Sequence, residues 1–201
     1  MRKYNFIKTR IPSEDYEATG TVGTMVYARF GATKIDADTY VCAETVVSAD
    51  DYDAAEAEEA YKEWKAEYDA SELRYAKRRK LGEIERYDTS SAVNGFKLNG
   101  NVFWLDKATR VGLMNSTEIT KAAGQETTEL WMGDVKLTIL CDTVIKLLSA
   151  IELYALECFN TTARHKAEVA ELKTVEEVEK YDIKEGYPKQ LEINLDGLDR
   201  Q

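Results

Sequence analysis

The sequence predicts an α+β protein in three parts: a small antiparallel β module over residues 1–49, a long charged helix or connector over 50–88, and an α+β domain over 89–201. Three observations carry this. β-branched and aromatic residues alternate with period two near the N-terminus. The composition then turns abruptly to helix formers, and beyond residue 88 one pattern of hairpin followed by helix occurs twice.

In the first part, residues 24–30 and 39–47 are strands by their alternation and their β-branched and aromatic content, and residues 4–8 are another. Gly31, Ala32 and Thr33, then Asp36, Ala37 and Asp38, supply turn chemistry between the two longer strands. A meander of this size is not very stable alone, so it leans on a neighbour or on copies of itself.

From residue 50 to about 84 the chain is rich in Ala, Glu, Lys and Tyr and holds no proline. At about 1.5 Å per residue the helix is roughly 50 Å long, more than so small a β unit can cover. Residues 51–72 hold nine acids, Asp51, Asp53, Glu56, Glu58, Glu59, Glu63, Glu67, Asp69 and Glu72, against Lys62 and Lys65. Five bases follow, Arg74, Lys77, Arg78, Arg79 and Lys80, in the sense that complements the helix dipole. Ala54, Ala57, Tyr61, Trp64, Tyr68, Ser71 and Tyr75 recur alternately three and four residues apart, which is a heptad seam. Its aromatic core suits either packing against the β module or a homotrimeric bundle. A cofactor-binding aromatic box is the sharper reading, but stripes at this spacing are usually packing surfaces.

The third part begins after the polar break at Asp88, Thr89, Ser90 and Ser91. Asn99-Gly100 is a type I′ hairpin signal that puts Phe96, Leu98 and Phe103 on one face, Val102 and Trp104 on the other. Asp106 caps a helix over residues 107–123, closed by Gly124. A second hairpin turns at Gly133-Asp134 with Leu130, Met132, Val135, Leu137 and Ile139 on one face, and Asp142 caps the next helix. There Val144, Leu147, Leu148, Ile151, Tyr154, Ala155, Cys158 and Thr162 recur at helical spacing. The two hairpins and two helices are expected to form one sheet covered on one side. Thr174 and Glu177 form a capping box for a helix over 175–181, and Gly186, Tyr187 and Pro188 end that segment. Leu191, Ile193 and Leu195 then alternate with Glu192, Asn194 and Asp196 as an edge strand, which either completes its own sheet or adds to a partner's.

Charge and composition exclude several functions. With 27 Lys+Arg against 37 Asp+Glu the net charge is −10, which argues against tracking phosphates; the basic run 74–80 is too short to reverse that. No apolar run is long enough to span a membrane, and residues 1–8 lack the apolar block of a secretory signal, so a soluble protein made in a cytoplasm is expected. Cys42, Cys141 and Cys158 show no metal or disulfide spacing and read as small buried hydrophobes. His165 is the one histidine, so any Ser–His or Cys–His mechanism runs through it; its basic neighbours on a helix favour a packing role. Asp36 with Asp38, or Asp50, Asp51 and Asp53, are candidates for Ca²⁺ through their oxygens, but neither set fits the spaced twelve-residue loop, and turn and capping roles suit them better. Lys136, opposite Trp131, and Lys97 are candidates to stack on a hairpin tryptophan. No catalytic residue, cofactor or metal is expected.

Several stretches form a recognisable set: Lys77-Arg78-Arg79-Lys80-Leu81, then Phe103-Trp104-Leu105-Asp106 before Arg110, then Leu130-Trp131, and near the end Thr174-Val175-Glu176-Glu177-Val178-Glu179-Lys180-Tyr181-Asp182-Ile183 followed by Gly186-Tyr187-Pro188. Together they resemble a domain of unknown function found at the ends of tail-fibre and tail-assembly proteins of tailed bacteriophages and prophages. Many relatives have Trp in place of Tyr187. The resemblance covers about residues 75–190. The β module and charged helix also look like the front of short phage proteins from gut anaerobes.

That family has no established catalytic residues. The resemblance implies a virion or virion-assembly protein of the tail, made in the bacterial host cytoplasm. Its partners are then other phage virion proteins and further copies of itself, a trimer being the form phage fibres suggest, without nucleic acid or membrane. The candidate contact residues are Tyr61, Trp64, Tyr68 and Tyr75 of the seam and Leu191, Ile193 and Leu195 of the tail. The alternatives are a fibre assembly chaperone left out of the finished particle, a glycan-acting enzyme, and an acidic regulator.

Overall fold

The structure is a computed structural model that describes residues 3–10, 18–132 and 134–195; Gly133 and Asp196 lie outside the described residues. It is α+β, as the patterning predicts. Contacts divide the chain into two units, Met1–Arg74 and Tyr75–Gln201, with the division inside the long helix and not at its ends. No helix among the described residues is long and apolar enough to cross a membrane.

The first unit is a four-stranded antiparallel sheet of order β1-β4-β3-β2, from β1 (Asn5–Thr9), β2 (Ala18–Val22), β3 (Met25–Lys34) and β4 (Tyr40–Ser48). β2 was not legible, because its Gly and Ala dilute the β-branched signal of Thr19, Thr21 and Val22. The turn expected at Gly31 is instead a bulge: β3 continues through it, and its register on β4 shifts between Phe30 and Thr33. Gly31 has φ +61, and a Cβ there would lie 2.0 Å from the Tyr61 hydroxyl, so both backbone and space require glycine. The turn to β4 comes at Ile35, whose N–H donates to the Thr39 carbonyl at 2.9 Å. Asp36 and Asp53 take the turn and capping roles, accepting from the backbone N–H groups of Asp38 and Glu56.

After a 3-10 turn at Ala49–Asp51, α1 runs Ala54–Asp88 and lays its first half on this sheet. Tyr4 is buried against Ala28, Phe30, Ala43 and Ala57, and its hydroxyl donates to the Ala57 carbonyl at 2.6 Å.

In the second unit, β5 (Phe96–Leu98) and β6 (Asn101–Phe103) form the first hairpin, with φ +48 at Asn99 and +81 at Gly100 as a type I′ turn needs. α2 (Lys107–Ala122) is capped by Asp106, which accepts from the Thr109 N–H at 2.7 Å. The second hairpin, β7 (Thr127–Met132) with β8 (Val135–Leu140), stands as a separate two-stranded sheet. The single sheet expected over both hairpins is not formed; β9 (Glu192–Ile193) takes the place beside β5, in parallel, giving the order β6-β5-β9.

α3 (Cys141–Glu171) begins without a side-chain cap, so Asp142 is not its N-cap. Asp142 lies in the first turn, favoured by the helix dipole, and meets Lys121 at 2.5 Å. The predicted apolar stripe of α3 is the core, packing Val144, Leu147, Leu148 and Ile151 on Phe96, Leu98, Leu130 and Ile139. α4 (Val175–Lys180) has the expected capping box of Thr174 and Glu177. All three cysteines are free and buried.

Candidate interaction surface

The aromatic seam is occupied within its own unit. Tyr61 stacks on Phe30 with centroids 5.0 Å apart, Trp64 meets Tyr4 at 5.4 Å and Phe6 at 5.3 Å, and Tyr68 meets Phe6 at 5.0 Å. Of the two partners the spacing allowed, the β module takes these three rings. Tyr75, one heptad beyond Tyr68, is 62% exposed. The tail residues are also taken internally. Leu195 is buried in the second unit's core, with Leu191 and Ile193 packed against it, and the Lys97 and Asn99 N–H groups donate to the Leu191 and Ile193 carbonyls. β9 therefore completes its own sheet.

The basic run at 74–80 has a structural use. Lys77 donates to the Ala170 carbonyl in the last turn of α3, and Lys80, nearly buried, donates to the carbonyls of Glu179 and Tyr181 at the end of α4. Arg79 pairs with Glu179 at 3.0 Å. Lys77 and Lys80 meet the carbonyls that helix C-termini leave unpaired, where the dipole is negative. The hairpin lysines likewise leave the tryptophans aside: Lys136 pairs with Glu129 at 2.7 Å and Lys97 with Glu192 at 2.8 Å. Trp131 and Trp104 remain 64% and 65% exposed.

The surface missed by periodicity is the outer face of α3. Leu153, Leu156 and Phe159, three residues apart, are 63%, 51% and 67% exposed. The signal was present: these are apolar residues outside the helix's own core stripe. Leu156 and Phe159 border a hollow of about 370 Å³ with Lys107, Arg110 and Glu152 on its rim. Arg110 is fixed there, donating to Glu152 at 2.6 Å and to the Leu105 carbonyl at 2.6 Å. Exposed apolar side chains thus stand beside charged ones on this face.

His165, whose chemistry was the alternative, is buried in α3 and lines a polar hollow of about 510 Å³ with Arg164, Glu168, Lys180, Asp182 and Glu185. Both its ring nitrogens are occupied: Nδ1 lies 2.6 Å from the Tyr181 hydroxyl and Nε2 2.9 Å from the Glu185 carbonyl oxygen. Tyr181 in turn donates to the Glu168 carboxylate. Next to it, Thr162 spends its hydrogen on Asp88 at 2.7 Å, so the Tyr187 hydroxyl donates to Thr162 at 2.8 Å. Burial raises the pKa of both tyrosines, and for Tyr181 the neighbouring Glu168 adds to it. Among the described residues no group of three or more His, Cys, Asp or Glu side chains is arranged to hold a metal ion. No protein-family model, curated protein or solved structure matches the chain.

Proposed function

We propose that this chain is a non-enzymatic structural or accessory protein of a bacteriophage particle, associated with the tail fibre or baseplate and acting through protein–protein contacts. The observation that carries this reading is the row Leu153, Leu156 and Phe159 on α3. Burying each of these side chains fully against a partner is worth roughly 1.5–3 kcal/mol, so the row favours an occupant. The engagement of both His165 nitrogens supports the non-enzymatic part, since a general base needs a free lone pair. The tail setting rests on the resemblance of residues 75–190.

Mass spectrometry of purified virions of a phage that encodes the chain tests the reading, with the chain expected among the tail proteins. Its absence from virions but presence on immature fibres assigns it instead to assembly, as a chaperone. Hydrolysis of host surface polysaccharide by the purified protein overturns the non-enzymatic part. Self-association belongs to the same reading, and a solution mass of only 22.8 kDa at high concentration counts against it.

A further inference from the structure

We propose that Glu168, Tyr181 and His165 form a proton-linked latch, which holds residues 181–187 on α3 while one shared proton is present and loosens them when it is lost. The hydrogens can be counted. The Glu185 carbonyl only accepts, so Nε2 of His165 carries a hydrogen. Tyr181 has a single hydroxyl hydrogen and gives it to the Glu168 carboxylate, so the link between Nδ1 and the phenol oxygen needs a second ring hydrogen. A complete chain thus has an imidazolium at one end and a carboxylate at the other, joined through the phenol.

Removing one proton breaks a link whichever way the hydrogens settle. With Nδ1 bare, two lone pairs face each other across 2.6 Å. If Tyr181 turns its hydrogen to Nδ1, the phenol oxygen faces the Glu168 carboxylate without one. The raised pKa of Tyr181, from burial and then Glu168, keeps the phenol protonated so that it relays and does not itself ionise. The groups around the chain are Arg164 and Glu168 on α3, and Lys180, Asp182, Glu185 and Tyr187 from α4 and the segment after it. From α1, Asp88 reaches α3 at Thr162 and Glu85 reaches it at Lys166.

The segment so held is seated closely. Gly186 has φ +79, and a Cβ there would lie 2.2 Å from Arg164 Nη2; Thr161 donates to the Gly186 carbonyl at 3.3 Å. The same segment leads into β9, so the latch sets how firmly the last strand is tethered. The link that proton loss removes is a ring hydrogen, since the Glu168 carboxyl offers the phenol an acceptor oxygen in either protonation state.

The test is made on the full chain labelled with ¹⁵N. While the segment is docked the His165 ring is expected to show hydrogens on both nitrogens, and amide protection of residues 181–195, corrected for intrinsic exchange, falls about tenfold once a pH series removes the second ring hydrogen. In Glu168→Gln the amide can donate to the phenol oxygen, which frees Tyr181 to donate to a neutral imidazole. That variant is expected to keep the segment docked with protection independent of pH across the same range. A His165 ring carrying one hydrogen while residues 181–195 are still fully protected, or a Glu168→Gln profile that follows the natural protein's, overturns the latch.

Discussion

Gly31 shows how one residue joins two elements. Its positive φ makes the bulge in β3, and its bare Cα leaves room for the Tyr61 hydroxyl. Gly31→Ala adds both a left-handed strain and a collision, and is expected to cost about 2 kcal/mol or more in thermal or denaturant unfolding of the first unit. Glu177 gives a pH-dependent case. Its carboxylate accepts from the backbone N–H groups of Lys173 and Thr174, which hold its pKa below the ordinary 4.5. A depressed carboxylate contributes stability that is present above its unfolded value and lost as pH falls through the folded one. The amides of α4 are therefore expected to lose exchange protection as pH falls below about 4.5, and Glu177→Gln to remove that dependence.

At the scale of elements, the seam of α1 separates into used and unused rings. Trp64→Ala removes contacts with Tyr4, Phe6, Tyr61 and Tyr68 and is expected to destabilise the first unit by about 3 kcal/mol, whereas Tyr75→Ala is expected to stay within about 0.5 kcal/mol. The same helix shows what was legible in the sequence. Features set by neighbours in the chain were readable: the Asn99-Gly100 turn, the Asp106 cap, the box of Thr174 and Glu177, and the core stripe of α3. Features set across long separations were not. Nothing local says that Lys77 and Lys80 reach carbonyls some hundred residues on, or that β9 pairs with β5 so that the hairpins form separate sheets. The outer row of α3 is hard to read in the sequence for a related reason, since its apolar residues fall off the main amphipathic stripe.

For the whole molecule, the predicted contact residues Tyr61, Trp64, Tyr68, Leu191, Ile193 and Leu195 serve internal packing, and one row of exposed apolar side chains lies on α3. The proposed contact role therefore rests on that face, which a charge can disable without touching the core. The most direct measurement is the amount of this chain in purified particles of a phage that encodes it, compared between the natural sequence and the double variant Leu156→Glu, Phe159→Glu. The variant is expected to keep its unfolding temperature and fall to background in the particles. Incorporation at the natural level, with the fold intact, would contradict the account.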